Sequence, residues 1–148
     1  RARSIGVSNF QIDHLERLAA ETDIVPAVNQ IEAHPYFTNQ AVRSYDREHQ
    51  IATEAWSPLA QGKVLEDPTI ARIAHKVGKT RAQVVLRWHI QRGDIVFPKS
   101  VTPSRMKENF ELFDFELDST NIATISALDR GESGRIGPNP DKFAYIPS

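Results

Sequence analysis

The feature that most constrains this chain is a fourfold alternation: a short strand-like segment runs into a polar or turn-forming cluster, and a helical pattern follows. The strands read Ser4–Val7, Ala27–Ile31, Ile51–Trp56 and Asp94–Phe97. Their exits read Ser8-Asn9-Phe10, Glu32-Ala33-His34-Pro35-Tyr36, Ser57-Pro58-Leu59-Ala60-Gln61-Gly62 and Pro98-Lys99-Ser100. Strands alternating with helices predict an α/β fold with a parallel sheet, and such folds bind ligands where the strands end. The chemistry is therefore expected at the four exits.

Between the strands, apolar spacing predicts helices. Ser8 or Asn9 would cap the first, with Ile12, Leu15, Leu18 and Ala19 as its inner face, ending near Thr22. The second runs from about Asn39 to His49 on Ala41, Val42 and Tyr45. Pro68 opens a third whose Ile70, Ile73, Ala74 and Val77 form the stripe, and Gly78 ends it. Thr80 caps a fourth that carries Val84, Val85, Leu86 and Trp88 towards Gly93. Two more are expected, from Pro103 or Ser104 to Phe110 and from Ser119 to Leu128. The tail over 131–148 has turns at Gly134, Gly137-Pro138 and Asn139-Pro140 and no period, so it is expected as a surface loop.

Four such units are too few to close an eight-stranded barrel. An open parallel sheet buried on both faces would leave apolar surface and unpaired backbone groups at its edges. Half a barrel fits better: a single partial domain over 1–148. Met106 is the only methionine, and Arg1-Ala2-Arg3 leads almost at once into a strand, so a fragment of a longer protein is expected.

Composition removes other classes. A formal net charge of -1 gives no sign of a nucleic-acid or membrane surface. The absence of cysteine rules out a disulfide framework and thiolate chemistry, and fits a cytoplasmic protein. No apolar run approaches the roughly 20 residues that span a bilayer. The five histidines lie apart with no ligand pair at helical spacing, so no metal is expected.

Among the exits the last is the most informative. Lys99 and Ser100 leave the strand, and Arg105, Glu108 and Asn109 sit on the expected helix after it. A helix N-terminus joined to a lysine, a hydroxyl and an arginine fork makes a phosphate site. Spacing alone leaves solvated surface charge as an equal reading. Trp56 ends the third strand, where an aromatic can offer a flat face to a planar ring. Taken alone it reads more readily as a core tryptophan. Gln30 alternates with apolar residues at the end of the second strand, where an amide can meet an amide or serve a structural role.

Together these residues resemble a known family. Ile5-Gly6-Val7-Ser8-Asn9-Phe10, Asn29-Gln30-Ile31-Glu32 with His34-Pro35-Tyr36, Trp56-Ser57-Pro58-Leu59 and Pro98-Lys99-Ser100 resemble the aldo-keto reductases in order and spacing. Trp56 to Gly62 and Phe97 to Val101 look most like bacterial 2,5-diketo-D-gluconate reductases. The resemblance implies the second half, strands 5–8, of a (β/α)8 TIM-type barrel in a monomer that reduces small aldehydes and ketones with NADPH. It implies that Ser8, Asn9 and Gln30 hold the nicotinamide carboxamide and that Trp56 stacks on the ring and faces substrate. Ser57, Pro58, Leu59, Gln61 and Gly62 would line the pyrophosphate. Lys99, Ser100, Val101 and Arg105 would hold the 2′-phosphate, with Glu108 and Asn109 near the adenine.

The family's catalytic Asp, Tyr, Lys and His have no counterpart in this sequence, and Tyr36, Tyr45 and Tyr145 sit in the wrong motifs to replace the tyrosine. The chain is thus expected to be the cofactor-binding half of an oxidoreductase, inactive alone, with the tetrad in a missing N-terminal half. A non-catalytic dinucleotide-binding or regulatory module and a self-associating half-barrel are the alternatives.

Overall fold

The computed structural model describes residues 2–97 and 111–142. Lys99, Ser100, Val101, Arg105, Glu108 and Asn109, the helix expected near 103–110, and the end of the tail lie outside the described residues.

Four strands form the sheet: β1 (Gly6–Ser8), β2 (Val28–Glu32), β3 (Ala52–Trp56) and β4 (Ile95–Val96). They pair in sequence order and all in parallel. The register sets Ser8 beside Gln30, Gln30 beside Glu54, and Glu32 beside Trp56. Because every crossover steps in the same direction and such crossovers are right-handed, the connecting helices fall on one face of the sheet. Burial alternates accordingly: Asn29, Ile31, Thr53 and Ala55 are buried, whereas Val28, Gln30, Ala52 and Glu54 are only half-buried. The strands thus have a helix-covered face and a second face that carries Ser8, Gln30 and Glu54.

The helices among the described residues are α1 (Ile12–Glu21), α2 (Gln40–Glu48), α3 (Pro68–Val77), α4 (Arg81–Gln91) and α5 (Ser119–Ser126). Local chemistry sets most of their ends. Asp67 caps α3 by accepting from the Thr69 amide, Pro68 fills the first turn, and Gly78 takes the left-handed conformation (φ 66°) that stops it. Thr80 and Gln83 form a reciprocal capping box on α4. α4 is buried on nearly every side from Gln83 to His89, and its Val84, Val85 and Trp88 pack with Ile70, Ile73 and Ile125. The Trp88 indole N–H donates to Ser126 Oγ at 3.0 Å.

Two expectations are corrected. α1 is capped by Gln11, whose partner in the capping box is His14, and neither Ser8 nor Asn9 serves. The chain is still paired with β2 at Asn9, whose amide donates to Gln30 O at 2.8 Å, so the helix starts later. The inner face of α2 is Val42 and Asp46, one turn apart, and Ala41 is exposed. Asp46 is buried because Asn29 Nδ2 and Thr53 Oγ1 donate to it at 3.3 and 3.0 Å, while burial pushes its carboxyl above the usual range. The tail over 131–142 has no buried residue. It forms two short 3-10 turns, Gly131–Gly134 and Pro140–Lys142, with a half-buried stretch over 134–137.

A second buried polar cluster ties α2 and α4 to the start of β4. Asp94 Oδ1 accepts from Arg43 Nε at 2.7 Å, and Asp94 Oδ2 lies 2.8 Å from His89 Nδ1. Burial pushes the Asp94 carboxyl up, but the His89 bond and the charges of His89, Arg43 and Arg92 outweigh it and leave its pKa below the usual range. Burial pulls Arg92 down to about 10, with Arg43 adding to the effect.

Candidate functional site

The ends of β1, β2 and β3 gather the residues that the sequence singles out. Asn9 has a left-handed backbone (φ 59°), which turns its side chain across the sheet. There Asn9 Oδ1 accepts from the Trp56 indole N–H at 2.8 Å. Ser8 Oγ lies 3.5 Å from Gln30 O, and Gln30 Nε2 donates to Glu54 Oε1. Ser8, Asn9, Gln30 and Trp56 are thus brought together on adjacent strand ends. Ser8, Asn9 and Trp56 line a cleft of about 540 Å³, with Phe10, Pro138 and Pro140 on its other walls.

Trp56 is not a core residue. That place belongs to Trp88, which is fully buried, whereas Trp56 is half-exposed. The indole is fixed at two points: its N–H by Asn9, and its benzo edge by Gly137, where a Cβ would collide with Trp56 Cη2. The ring therefore has a set orientation beside the cleft.

After Trp56 the chain makes an unusual loop. Ser57, Ala60 and Gln61 have left-handed backbones (φ 52°, 51° and 54°), and Gly62 follows at 90°. Each non-glycine residue held so costs on the order of 1 kcal/mol, and residues of this kind cluster at functional sites. Turns of mixed handedness also point successive backbone N–H groups into a concavity suited to anions. Two bonds brace this loop internally, Ala60 N to Ser57 O and Gly62 N to Leu59 O, both 2.8 Å. From below, His89 Nε2 approaches the loop, 3.2 Å from Pro58 O.

Sequence reasoning missed two groups. Glu54 stands beside Gln30 on the same strand face; its place two residues before Trp56 was the available signal. The second is Glu32 with His34, both fully buried. Glu32 Oε1 accepts from the Ile136 amide at 2.5 Å and lies 3.0 Å from His34 Nε2, and Oε2 accepts from the Gly137 amide at 2.9 Å. Burial holds the His34 pKa below the ordinary histidine value, so the neutral ring donates from Nε2 to Glu32. Tyr36 is committed elsewhere: its hydroxyl donates to Asp67 Oδ2 at 2.9 Å, and burial together with that bond raises its pKa.

Asp13, His14 and Asp141 bring three potential ligand atoms within 4.8 Å of one another. His14 Nδ1, however, accepts the Gln11 amide at 3.1 Å, which puts the neutral ring's proton on Nε2, the atom facing both carboxylates. The neutral ring thus presents a donor there, not a ligand lone pair. Among the described residues, no helix is long and apolar enough to cross a membrane.

The sequence model of the aldo/keto reductase family matches residues 1–130. The chain belongs to the aldo/keto reductase family. It is similar to an aldo-keto reductase of Mycolicibacterium smegmatis, with 55% identity over 145 residues, covering 98% of this chain and 52% of that protein. It is also similar to the methylglyoxal reductase DkgA of Escherichia coli, with 50% identity over 143 residues, 95% of this chain and 51% of the relative. Among solved structures it resembles a mutant of Gox0644 in complex with NADPH, with a TM-score of 0.93, 49% identity, and coverage of 97% of this chain and 52% of that one. The chain spans about half the length of these relatives.

Proposed function

We propose that this chain is the cofactor-gripping part, strands 5–8, of a TIM-barrel oxidoreductase that reduces small aldehydes or ketones with NADPH. The observation that carries the reading is the indole of Trp56, pinned at both edges beside an open cleft and flanked by Ser8, Asn9 and Gln30. The residues fit the group. Asn9 spends Oδ1 on Trp56 and keeps Nδ2 to donate to a carboxamide oxygen, as can the Ser8 hydroxyl. Gln30 spends Nε2 on Glu54 and keeps Oε1 to accept from a carboxamide NH2. The backbone loop through Ser57, Pro58, Leu59, Gln61 and Gly62 would line the pyrophosphate. Lys99, Ser100, Val101 and Arg105 would take the 2′-phosphate, with Glu108 and Asn109 by the adenine.

NADPH, when bound, supplies the hydride. This chain's part would be to hold the carboxamide through Ser8, Asn9 and Gln30 beside the indole of Trp56. Carbonyl reduction also needs a proton donor beside the hydride. We assign that donor to the family's Asp, Tyr, Lys and His set in the other half of the barrel, so these residues alone would bind cofactor without turnover. The sequential strand order supports this division, because it puts the helices on one face and leaves the other to line a barrel interior. The methylglyoxal reductase relative, and the resemblance of the Trp56 loop to 2,5-diketo-D-gluconate reductases, favour small dicarbonyl or sugar-derived substrates in a cytoplasmic enzyme.

The test is a fluorescence titration. NADPH should quench tryptophan emission, and Trp56→Phe should abolish most of the change. Arg105→Ala should weaken NADPH about tenfold more than NADH by removing a charge-assisted bond to the 2′-phosphate. Equal loss for both cofactors would sink the phosphate assignment, and quenching that survives Trp56→Phe would sink the ring assignment.

A further inference from the structure

We propose that Glu32 is a positioning residue: its carboxylate latches the backbone at 136–137 and thereby fixes the ring of Trp56. The assignment of that ring to nicotinamide rests on the cofactor reading above; the latch itself stands on geometry alone. Glu32 lies at the end of β2, directly beside Trp56 in the sheet register, and is 1% exposed. A buried carboxylate is costly unless its oxygens are satisfied. Here both are, and every partner is a donor: the amides of Ile136 and Gly137 and the Nε2–H of His34. Two of those three donors belong to a segment more than a hundred residues away in the chain.

The latch acts on the ring through Gly137. The same residue that donates to Glu32 Oε2 meets the benzo edge of Trp56 so closely that a Cβ would strike both Trp56 Cη2 and Glu32 Oε2. Carboxylate, glycine and indole form one contact, and none can shift without the others. The Glu32 backbone is held in turn, because Asn39 Nδ2 donates to Glu32 O at 3.1 Å. Further bonds fasten the tail just upstream: Arg130 N donates to Tyr36 O at 2.9 Å, and the Arg130 guanidinium sits 3.7 Å from the centre of the Tyr36 ring. Those contacts hold the tail to the β2 exit. The carboxylate bonds the two residues of the tail, Ile136 and Gly137, at the point where it meets Trp56.

Glu32→Gln is the informative change, because it keeps size and replaces one acceptor oxygen with an NH2 that faces a donor. In the full chain, amide exchange at Gly137 or Ile136 should become about tenfold faster or more, as expected when a bond worth about 1.4 kcal/mol or more is lost, while amides in α4 stay unchanged. Tryptophan emission should shift, and the NADPH dissociation constant should rise about fivefold or more with the NADPH-to-NADH preference unchanged. Gly137→Ala should reproduce these effects from the other side of the contact, and it serves if the first variant fails to fold. Unchanged exchange in both variants overturns the latch. Faster exchange with unchanged emission and cofactor affinity overturns its role in fixing the ring. If the wild-type chain binds no NADPH, the cofactor reading fails, and the latch is decided by exchange and emission alone.

Discussion

Asp94→Asn isolates the clamp at the start of β4. The Asp94 side chain is fully buried, and the Arg43 side chain is 10% exposed. Asp94 Oδ1 accepts from Arg43 Nε at 2.7 Å and lies 2.6 Å from Arg43 Nη2; Oδ2 lies 2.8 Å from His89 Nδ1. Asparagine keeps the shape but removes the charge, leaving Arg43 and the nearby Arg92 as cations in a poorly solvated place. Breaking one side of a buried pair costs about 3–5 kcal/mol. For a chain of this size each kcal/mol lowers the melting temperature by about 2–4 °C, so a fall of roughly 10 °C is expected. Circular dichroism during thermal and urea unfolding reads it directly. Arg43→Gln combined with Asp94→Asn should lose less than the sum of the single changes, with a coupling of about 2 kcal/mol. A loss below about 1 kcal/mol, or additive single changes, would show that the cluster is solvated and that the reasoning is wrong.

Acid should destabilise the fold through its buried histidines. Burial holds both His34 and His89 below the ordinary histidine pKa, so as pH falls through about 6.5 the unfolded chain takes up protons that the folded rings refuse. The melting temperature should fall between about pH 7.5 and 5.5, around the ordinary histidine value; a flat or rising profile would contradict it. Asn9→Ala should cost about 1–2 kcal/mol, from the lost indole bond and from placing alanine in a left-handed backbone. Asn9→Gly relieves the second part alone, so a glycine variant less stable than the alanine variant would refute the strain.

What the sequence disclosed was what neighbouring residues decide. Asp67, Pro68 and Gly78 delimit α3 within a dozen positions, and Thr80 with Gln83 starts α4. The strand exits were legible because turn chemistry is local, and the family resemblance rests on those same short runs. Asn9 misled for the converse reason: Ser-Asn before a helical stripe reads as a cap, and only the pairing of Asn9 N with Gln30 O carries the strand past it. The buried acids were invisible because a near histidine, where there is one, does not by itself signal burial, and their other partners are remote. Asp46 finds Asn29 and Thr53, Asp94 finds Arg43, and Glu32 finds Ile136 and Gly137, across separations from 7 to 105 residues. No periodicity in the tail could signal that its backbone would be held by a carboxylate near the other end of the chain.

His89 has one consequence for how the molecule bears load. Its ring reaches Asp94 at the foot of β4 with one nitrogen and the Pro58 carbonyl in the loop above β3 with the other. An imidazole is a stiff strut of fixed span. The loop over Ser57–Gly62, itself wound from left-handed residues, is therefore propped from the opposite end of the sheet as well as by its own turns. Its height above the strands is set by the width of an aromatic ring that never reaches the surface.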